Sequence, residues 1–542
     1  MIRIYFLSKI RLQVLLISLF VLKFGLLAQD KKGHLSGDFY AISQYYLEDE
    51  VIGATKLPGG QSIGINTALS LNYTWNNFSA GIRYEAYEPP LLGFEPALEG
   101  HGFGYRFAQY KYKSLDVTVG NFYEQFGSGL TMRSYYEPQL GLDNSIDGAR
   151  IKFSPKGLDL TLLYGKNRKY FEKDDSKIAG LNLDVYLADY LESLNQKNLS
   201  LDLGFSVVNK NETDETGLNV PASTLTWASR IDLGIKGFSF GVEYASKGEE
   251  PHSLNGFTEN PGQGVFISAG YSQKGFGANI YWKFVDNMFF RSDRESLSNV
   301  TSAINYLPPN SNVNTYRLMT LYPYATQGNG ENGVNANLYY TIKKDTPLGG
   351  KYGTKISVDL SYITGIETTP TGAKTYDTKF LAFTDSLYYG NFNVEVTKRV
   401  NRQLRYVAGL GYINYNRDII EGIPGSGFVK SLTFFTDITY RLQNRKFVRT
   451  ELQHMSAKNH LGNWLLGLVE FGWSAKWSAY LSDEWNYDSG THYYAAGMNF
   501  RKGATLVGLS YVRERSGLLC VGGICRFVPA SKGVKVELST SF

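Results

Sequence analysis

The chain has 542 residues, of which 43% are hydrophobic, 15% aromatic and 19% charged. Abundant aromatic residues and 57 glycines are typical of an all-β protein, and the hydrophobic share excludes a disordered chain. The net charge is +5 without any long run of Lys or Arg, which argues against nucleic-acid binding.

Residues 1–28 have the features of a secretory signal peptide. A basic start over residues 3–11 is followed by a mostly apolar stretch over residues 12–27, and Ala28 precedes a polar run. We predict cleavage after Ala28, which leaves residues 29–542 as the mature chain. The exact bond stays open, and a retained membrane anchor is the alternative. No later stretch reaches the ~18 consecutive apolar residues that a spanning helix needs.

Apolar and polar residues alternate along much of the mature chain, with the period of two that is typical of β-strands. Over residues 63–75 one face is mostly apolar, while the other carries Gly, Asn, Ala, Ser and Thr. Asn76 and Asn77 then predict a turn before the next alternating segment, residues 78–86. The pattern returns at residues 158–164, 199–207, 238–244, 276–284, 352–362 and 534–542.

Three features favour a membrane barrel over a soluble β-sandwich, whose strands also alternate. The alternating runs often reach ~10 residues, which is the length of a tilted membrane-crossing strand. The polar face is rich in Gly, Ser, Asn and charged residues, as expected of a wet lumen. Short turns and long polar connections follow each other regularly along the chain, as they do in outer-membrane barrels.

The sequence therefore predicts an all-β fold, a transmembrane antiparallel up-and-down β-barrel of about 24 strands, with a range of about 20 to 26. Both chain ends then lie in the periplasm, and the twelve long connections face outwards. Because alternation starts as early as Leu35, we expect no N-terminal plug. A secreted soluble β protein is the alternative.

The end of the chain reads as a complete alternating strand with an aromatic last residue. Val534, Val536 and Leu538 occupy every second position, and Phe542 closes the chain. This ending is similar to the signal that the barrel-assembly machinery reads in outer-membrane proteins, because a last strand must offer an open edge before the barrel closes. The expected partners are therefore outer-membrane lipid and that machinery during insertion, and the expected location is the cell outer membrane.

Two parts of the chain carry recognisable motifs. The first is Gly-Asn-Phe-Tyr-Glu-Gln-Phe-Gly-Ser-Gly-Leu at residues 120–130, followed by Arg-Ser-Tyr at 133–135 and Leu-Asp-Asn-Ser-Ile-Asp-Gly at 142–148. The second is residues 520–530 together with the Ser-Phe ending. With these motifs the chain resembles an uncharacterised family of outer-membrane β-barrel proteins of the Bacteroidota. The resemblance implies a fold and a location but no activity and no catalytic residues. The Gly-rich segment itself reads as a bent strand end or as an inward-folded loop that narrows the lumen.

Cys520 and Cys525 are the two cysteines of the chain, and four residues separate them. In an oxidising envelope, two thiols this close are expected to form a disulfide that pins the final outer loop. Unpaired buried thiols are the alternative.

We predict no metal, cofactor or catalytic site. The six histidines lack metal-ligand spacing, although His454 and His460 could meet at the mouth of one loop. Glu137, Asp143 and Asp147 read as a solvated acidic turn, with a Ca²⁺ site as the alternative. No motif of a phosphate-binding loop or a zinc protease is present, so an enzyme is not expected.

Charged residues of both signs fall on the polar face of the predicted strands. They read either as ion pairs that stiffen the wall or as a transverse field that orients polar solutes in the lumen. One sign in excess would indicate a strongly ion-selective channel, and the chain as a whole shows no such excess. The candidate lumen charges are Arg83, Glu85, Arg150, Lys152, Arg230, Asp232, Asp437, Arg441, Arg449 and Glu451.

A barrel of this size with an empty centre would breach the membrane, since barrels of 16–18 strands already leave an aqueous channel. The lumen is therefore expected to be flattened, filled by loops or occupied by another protein, and residues 287–332 are the best candidate loop, with 124–147 second. We predict a porin-like channel for small polar solutes with a loop-filled lumen. The alternative is a non-conducting subunit of an outer-membrane export or assembly complex, with other outer-membrane proteins as partners.

Overall fold

Strand pairing closes the chain into a β-barrel. The computed structural model describes residues 33–213, 216–218, 220–298 and 300–542, and its first and last strands pair with each other. Across this seam Ala41 lies opposite Leu538, and Tyr45 lies opposite Val534. The predicted signal peptide, residues 1–28, lies outside the described residues.

The main sheet of the described residues has 25 strands, of which Glu172–Lys173 only extends one hairpin beyond the ring. The remaining 24 strands form the closed antiparallel barrel, and the predicted number is confirmed. They are β1 (His34–Tyr46), β2 (Ile63–Trp75), β3 (Phe78–Tyr87), β4 (Gly100–Tyr112), β5 (Leu115–Phe122), β6 (Ile146–Phe153), β7 (Leu158–Lys169), β8 (Lys177–Tyr186), β9 (Leu199–Asn211), β10 (Ser223–Ile235), β11 (Phe238–Lys247), β12 (Gly262–Gln273), β13 (Phe276–Asp286), β14 (Gly330–Ile342), β15 (Thr354–Thr364), β16 (Leu387–Arg399), β17 (Leu404–Asn416), β18 (Phe428–Arg441), β19 (Phe447–Lys458), β20 (Trp464–Gly472), β21 (Trp477–Asn486), β22 (Thr491–Lys502), β23 (Thr505–Glu514) and β24 (Ser531–Ser541).

The two faces of the barrel wall differ in chemistry. Large apolar side chains point outwards and stay exposed, as Leu481 does with 63% of its surface accessible. The alternate positions point inwards and are small or polar, and many are buried, such as Ser206 and Gln453. A continuous exposed apolar surface of this kind is rare on a soluble monomer.

Tight turns join the strands at one end of the barrel, and longer loops join them at the other. At the turn between β2 and β3, Asn76 has a φ of 51°, which suits the left-handed geometry of a two-residue hairpin. The predicted regularity is wrong at four places: the turn end carries longer connections at residues 187–198 and 343–353, and the loop end carries short ones at residues 459–463 and 487–490. In the first, the period of two is lost after Tyr186 and the chain forms helical turns instead.

The loops contain only short elements. The α-helices of the described residues are α1 (Glu192–Gln196) and α2 (Arg417–Ile420), and the 3-10 turns are Pro58–Gly60, Pro96–Leu98, Leu187–Asp189, Ser253–Asn255 and Arg317–Leu321. Small hairpins pair Gln125–Phe126 with Met132–Arg133, Tyr136–Glu137 with Leu142–Asp143, Thr368–Pro370 with Tyr376–Thr378, and Gly517–Val521 with Ile524–Val528. In the described part of the chain, no helix is long and apolar enough to span a membrane.

Candidate functional site

The longest loop of the barrel, residues 287–329, folds into the lumen and is called the plug loop below. It leaves β13 and returns to β14 as a continued hairpin, in which Met288 N–H donates to the carbonyl of Gly328 at 2.9 Å. Beyond this base its side chains are largely buried; Phe290, Leu318 and Tyr322, for example, are at most 1% exposed. The prediction that residues 287–332 fill the lumen therefore agrees with the structure.

The upper part of the plug loop packs against a second inward loop, residues 123–145, and against the wall beside it. Asn305 Nδ2 donates to the carbonyl oxygens of Leu130 and Met288, both at 2.7 Å. The apolar side chains buried at this junction are Phe122, Phe126, Met132, Ile146, Leu163, Ile178, Val208, Phe290 and Ile304. Both loops that the sequence proposed as lumen loops therefore contribute to one apolar core inside the barrel.

The tip of the plug loop reaches past the middle of the barrel. The ring of Tyr316 stacks on Phe435 with the centroids 3.9 Å apart, and Met319 packs in the same cluster as Val407. Val407 lies close to the turn end of β17, so the tip descends most of the way from the loop end. The plug therefore obstructs the lumen along this part of the wall.

A fully buried charge cluster fixes the second inward loop to the wall. Arg168 Nη2 lies 2.6 Å from Glu85 Oε2, and its Nη1 lies 2.6 Å from Asp143 Oδ2. Arg83 contacts the same two carboxylates. Each of these four side chains is at most 8% exposed, and the two positive charges balance the two negative ones. We call this group the four-charge cluster.

Buried lysines hold the plug loop in a similar way. Lys210 Nζ and Lys247 Nζ lie 2.6 and 3.0 Å from the two oxygens of Glu250, and Lys283 Nζ lies 2.6 Å from Glu331 Oε1. All five side chains are at most 1% exposed. Lys247 and Lys283 also donate to backbone carbonyls of the plug loop. The wall therefore binds the plug through buried lysines, each of which lies within ion-pair distance of a carboxylate.

Some of the predicted lumen charges form pairs along the wall itself. Arg83 and Glu85 pair within β3, with 2.5 Å between Arg83 Nε and Glu85 Oε1. Arg449 on β19 reaches Asp437 of β18 at 2.8 Å and also contacts Glu451. These contacts match the interpretation that ion pairs stiffen the wall.

Other predicted lumen charges have partners that sequence spacing did not indicate. Arg230 contacts Asp184 of β8 and not Asp232, its neighbour two positions along the strand. Arg150 and Lys152 both reach Glu124 of the second inward loop, at 3.2 and 2.7 Å. For Arg441, at the turn end of β18, the described residues offer no ion-pair partner within 4 Å, and its side chain is exposed.

The cysteine pair lies in a small hairpin that covers the plug from outside. Cys520 and Cys525 face each other across the hairpin and are joined by a disulfide. The N–H of Thr326, in the plug loop, donates to the carbonyl of Gly523 in the hairpin turn at 2.9 Å. Leu519, Val521 and Ile524 pack against the cluster formed by Leu140, Leu142, Val300, Ala303 and Tyr306.

The other residues considered as metal ligands are separated or already engaged. His454 points outwards from β19 and contacts Tyr487, while His460 lies beside the ring of Tyr322. Asp143 belongs to the four-charge cluster, and Asp147 contacts Lys173 at 2.6 Å. Within the described ranges no three potential ligand side chains converge.

Three cavities follow one another from the outer loops to the middle of the barrel. They have volumes of about 750, 550 and 310 Å³ and are called the outer, middle and inner cavities. Arg515 and Leu518 line both the outer and the middle cavity. Arg317, Glu514 and Lys535 line both the middle and the inner cavity. Because neighbouring cavities share lining residues, they form a row beside the plug.

The inner cavity is bounded by the wall of β19 to β24, where small side chains such as Ser482 and Ser510 leave room. Arg317, at the plug tip, contacts Glu484 of β21, and Arg515 lies 3.5 Å from the same carboxylate. Sequence reasoning did not single out these two arginines, because they lie in loops without periodicity. The nearby cysteine pair is the only signal that marks Arg515 and its hairpin.

Lowering the pH is expected to destabilise the loop that carries His252. Burial holds the pKa of this fully buried imidazole down to about 3, against about 6.5 in an unfolded chain. The unfolded state then binds one more proton than the folded state below about pH 6.5, so stability falls as the pH falls through that value. We expect a loss of about 1.3 kcal/mol between about pH 7.5 and 5.5. Denaturant unfolding at both pH values measures this loss in the free energy of unfolding. The variant His252→Gln should not show the loss. An equal loss in that variant would mean that His252 is not its cause.

A family of unknown function (DUF6029) matches the chain over residues 7–542. The chain belongs to this family. The match spans every barrel strand, both inward loops and the cysteine hairpin, so the whole architecture described above is the architecture of a DUF6029 member. No curated protein matches the chain.

Several solved structures are similar to this DUF6029 chain at low identity. The translocation pore of the P pilus usher PapC is 8% identical with a TM-score of 0.44, covering 94% of this chain and 99% of that one. A mutant ferric enterobactin receptor, PfeA of Pseudomonas aeruginosa, is 11% identical with a TM-score of 0.42, covering 94% and 80%. OpdL of the same organism is 9% identical with a TM-score of 0.35, covering 94% and 99%.

Proposed function

We propose that this protein is an outer-membrane β-barrel that passes small polar solutes through the row of three cavities beside its plug. The row of cavities is the observation that carries the proposal, because neighbouring cavities share lining residues from the outer loops to mid-barrel. The closed ring of strands leaves no unpaired edge, and its outward face is apolar, as a wall in contact with lipid requires. The chain's own loops fill the rest of the lumen, in place of an N-terminal plug.

The same proposal includes the location of the barrel in the outer membrane and its insertion there by the barrel-assembly machinery. Residues 1–28 serve as the export signal, and the turn end of the barrel faces the periplasm. Val534, Val536, Leu538 and Phe542 provide the signal for the barrel-assembly machinery. Phe542 is the last residue at the barrel seam, where its N–H and carbonyl pair with those of Gly37 at 3.0 and 2.9 Å. A Bacteroidota source and the absence of catalytic activity remain predictions.

Blocking the inner cavity tests the channel. The purified protein in a planar lipid bilayer should conduct ions, and Ser510→Trp should reduce the single-channel conductance by more than about half, because the indole fills a cavity that is small on the scale of ligand sites. Leu481→Trp is the matched control, since Leu481 neighbours the cavity residue Ser482 on β21 but points outwards with 63% of its surface exposed and lines none of the three cavities. A wild-type protein that inserts and stays silent, or a Ser510→Trp variant that conducts normally, would count against the channel.

A non-conducting subunit of an export or assembly complex is the second candidate. The observation that favours it is the tight attachment of the plug, whose contacts with the wall include three buried lysines paired with two buried carboxylates. In that case the outer loops serve as a docking surface for other outer-membrane proteins. Extraction in mild detergent followed by co-purification tests this candidate, and a strictly monomeric conducting protein would exclude it.

A further inference from the structure

Charge is distributed unevenly between the plug contacts and the middle cavity. In the four-charge cluster two cations meet two carboxylates. The charged residues that line the middle cavity are instead four cations and one carboxylate, namely Arg317, Arg515, Arg526, Lys535 and Glu514. The near-balance of charge over the whole chain therefore conceals a local positive excess.

Arg526 is the cation of this cavity with the least compensation. Its Nε donates to the carbonyl oxygen of Gln139 at 2.9 Å, and its guanidinium lies over the ring of Phe94 at 4.0 Å. Nη1 has no hydrogen-bond partner, and among the described residues no carboxylate lies within ion-pair distance of this side chain. Burial lowers the pKa of Arg526 to about 10, so the side chain remains a cation at neutral pH.

Nearby carboxylates reduce the positive excess without cancelling it. Glu484 is shared between Arg317 and Arg515, and Glu537 lies 2.6 Å from Lys535. When both are counted, four cations still face three carboxylates. Arg317 is also the accessible member of its pair, because 47% of its side chain is exposed at the plug tip. An entering anion would thus meet positive charge that is already in place and incompletely paired.

The remaining lining of the middle cavity is largely apolar. Leu91, Leu92, Phe94, Met319, Leu518 and Leu519 contribute to it. Its volume of about 550 Å³ lies within the usual range for small-molecule sites, in which apolar walls surround a few polar groups. We infer that the middle cavity binds a small organic carboxylate with an apolar body, whose charged group contacts the cavity arginines. This inference rests on the proposed channel, because it names the class of solute that the channel would select.

Benzoate is a suitable probe, because it combines one carboxylate with a small apolar ring. Equilibrium dialysis of the full-length protein in detergent should show saturable binding of benzoate and none of benzylamine, which has the same ring and the opposite charge. Arg526→Gln and Arg317→Gln should each weaken benzoate binding by about tenfold, as expected for the loss of one hydrogen-bonded ion contact. Arg402→Gln is the matched control, since Arg402 is exposed in the turn after β16 and lines none of the three cavities.

Arg526 also attaches the cysteine hairpin through Gln139, so the fold of its variant must be checked by circular dichroism. Arg317→Gln provides the independent test, because Arg317 lies at the exposed plug tip. The inference is overturned if benzylamine binds as tightly as benzoate, if no benzoate binds, or if both folded variants bind it as the wild type does. If the protein binds benzoate but does not conduct, the binding site is supported and the channel is rejected. If the protein conducts but does not bind benzoate, the channel is supported and the binding site is rejected.

Discussion

Removing the plug loop is expected to turn the protein into a wide pore. Met288 and Gly328 pair at the base of the loop, so residues 289–327 can be replaced by Asn-Gly, which forms a two-residue hairpin turn between β13 and β14. The freed lumen belongs to a ring of 24 strands, and rings of 16–18 strands already hold an aqueous channel. We therefore expect single-channel conductance in planar bilayers to rise by at least about tenfold.

The outer hairpin at residues 368–378 offers the control for this deletion. It pairs Thr368–Pro370 with Tyr376–Thr378 among the outer loops, so shortening it should leave conductance unchanged. The deletion variant must first be shown to retain the wild-type circular dichroism spectrum, because removing the plug exposes apolar side chains on the inner wall, such as Ile413 and Trp464. A folded and inserted deletion variant that conducts like the wild type would mean that the plug loop does not limit the passage.

The barrel could be predicted from the sequence because its wall is built from local patterns. Alternation with a period of two can be read from neighbouring residues alone. Every strand must keep it, because a shift of the strand by one residue would turn its polar side chains outwards. The alternation of long loops with short turns gave the strand number in the same way. This regularity was wrong at residues 187–198 and 343–353, where the turn end carries longer connections, and at residues 459–463 and 487–490, where the loop end carries short ones.

The contacts of the plug could not be predicted, because they join residues that are far apart in the sequence. Length and composition indicated that residues 287–332 fold inwards, but nothing local indicates where the tip lands. In the structure the N–H of Leu318 donates to Oε1 of Gln453 at 2.9 Å, across 135 residues of sequence. The position of the middle cavity depends on which part of the barrel wall the plug covers. Arg317 and Arg526 therefore could not be recognised from the sequence as residues that line it.

The partners of the lumen charges could not be predicted from the sequence, for a reason that lies in the sheet itself. Arg230 and Asp232 are two positions apart and point the same way, yet Arg230 reaches across β9 to Asp184 on the next strand. Gly204 on β9 lies under the guanidinium, where any side chain would collide with it. Gly104 lies under Arg168 in the same manner. Glycines of the inner face therefore let long side chains cross a strand, and spacing along one strand does not reveal it.

Disrupting the four-charge cluster should cause the largest loss of stability among point substitutions. Glu85→Gln would leave the guanidinium groups of Arg83 and Arg168 with one buried carboxylate, Asp143, between them. Breaking a buried ion pair from one side typically costs about 3–5 kcal/mol, because the remaining charge has lost its compensation. We expect a loss of this size in the free energy of unfolding, measured by guanidinium titration of the reconstituted protein. Glu537→Gln, whose carboxylate is 47% exposed, should cost less than about 1 kcal/mol.

A double substitution separates the charge effect from a mere loss of packing. Glu85→Leu together with Arg168→Leu removes one charge of each sign and leaves Arg83 paired with Asp143. If uncompensated charge is the cause, the double variant should be more stable than the sum of the two single losses predicts, by about 1–3 kcal/mol. Strict additivity would instead mean that Glu85 and Arg168 contribute to stability independently of each other, and would contradict the uncompensated charge as the cause.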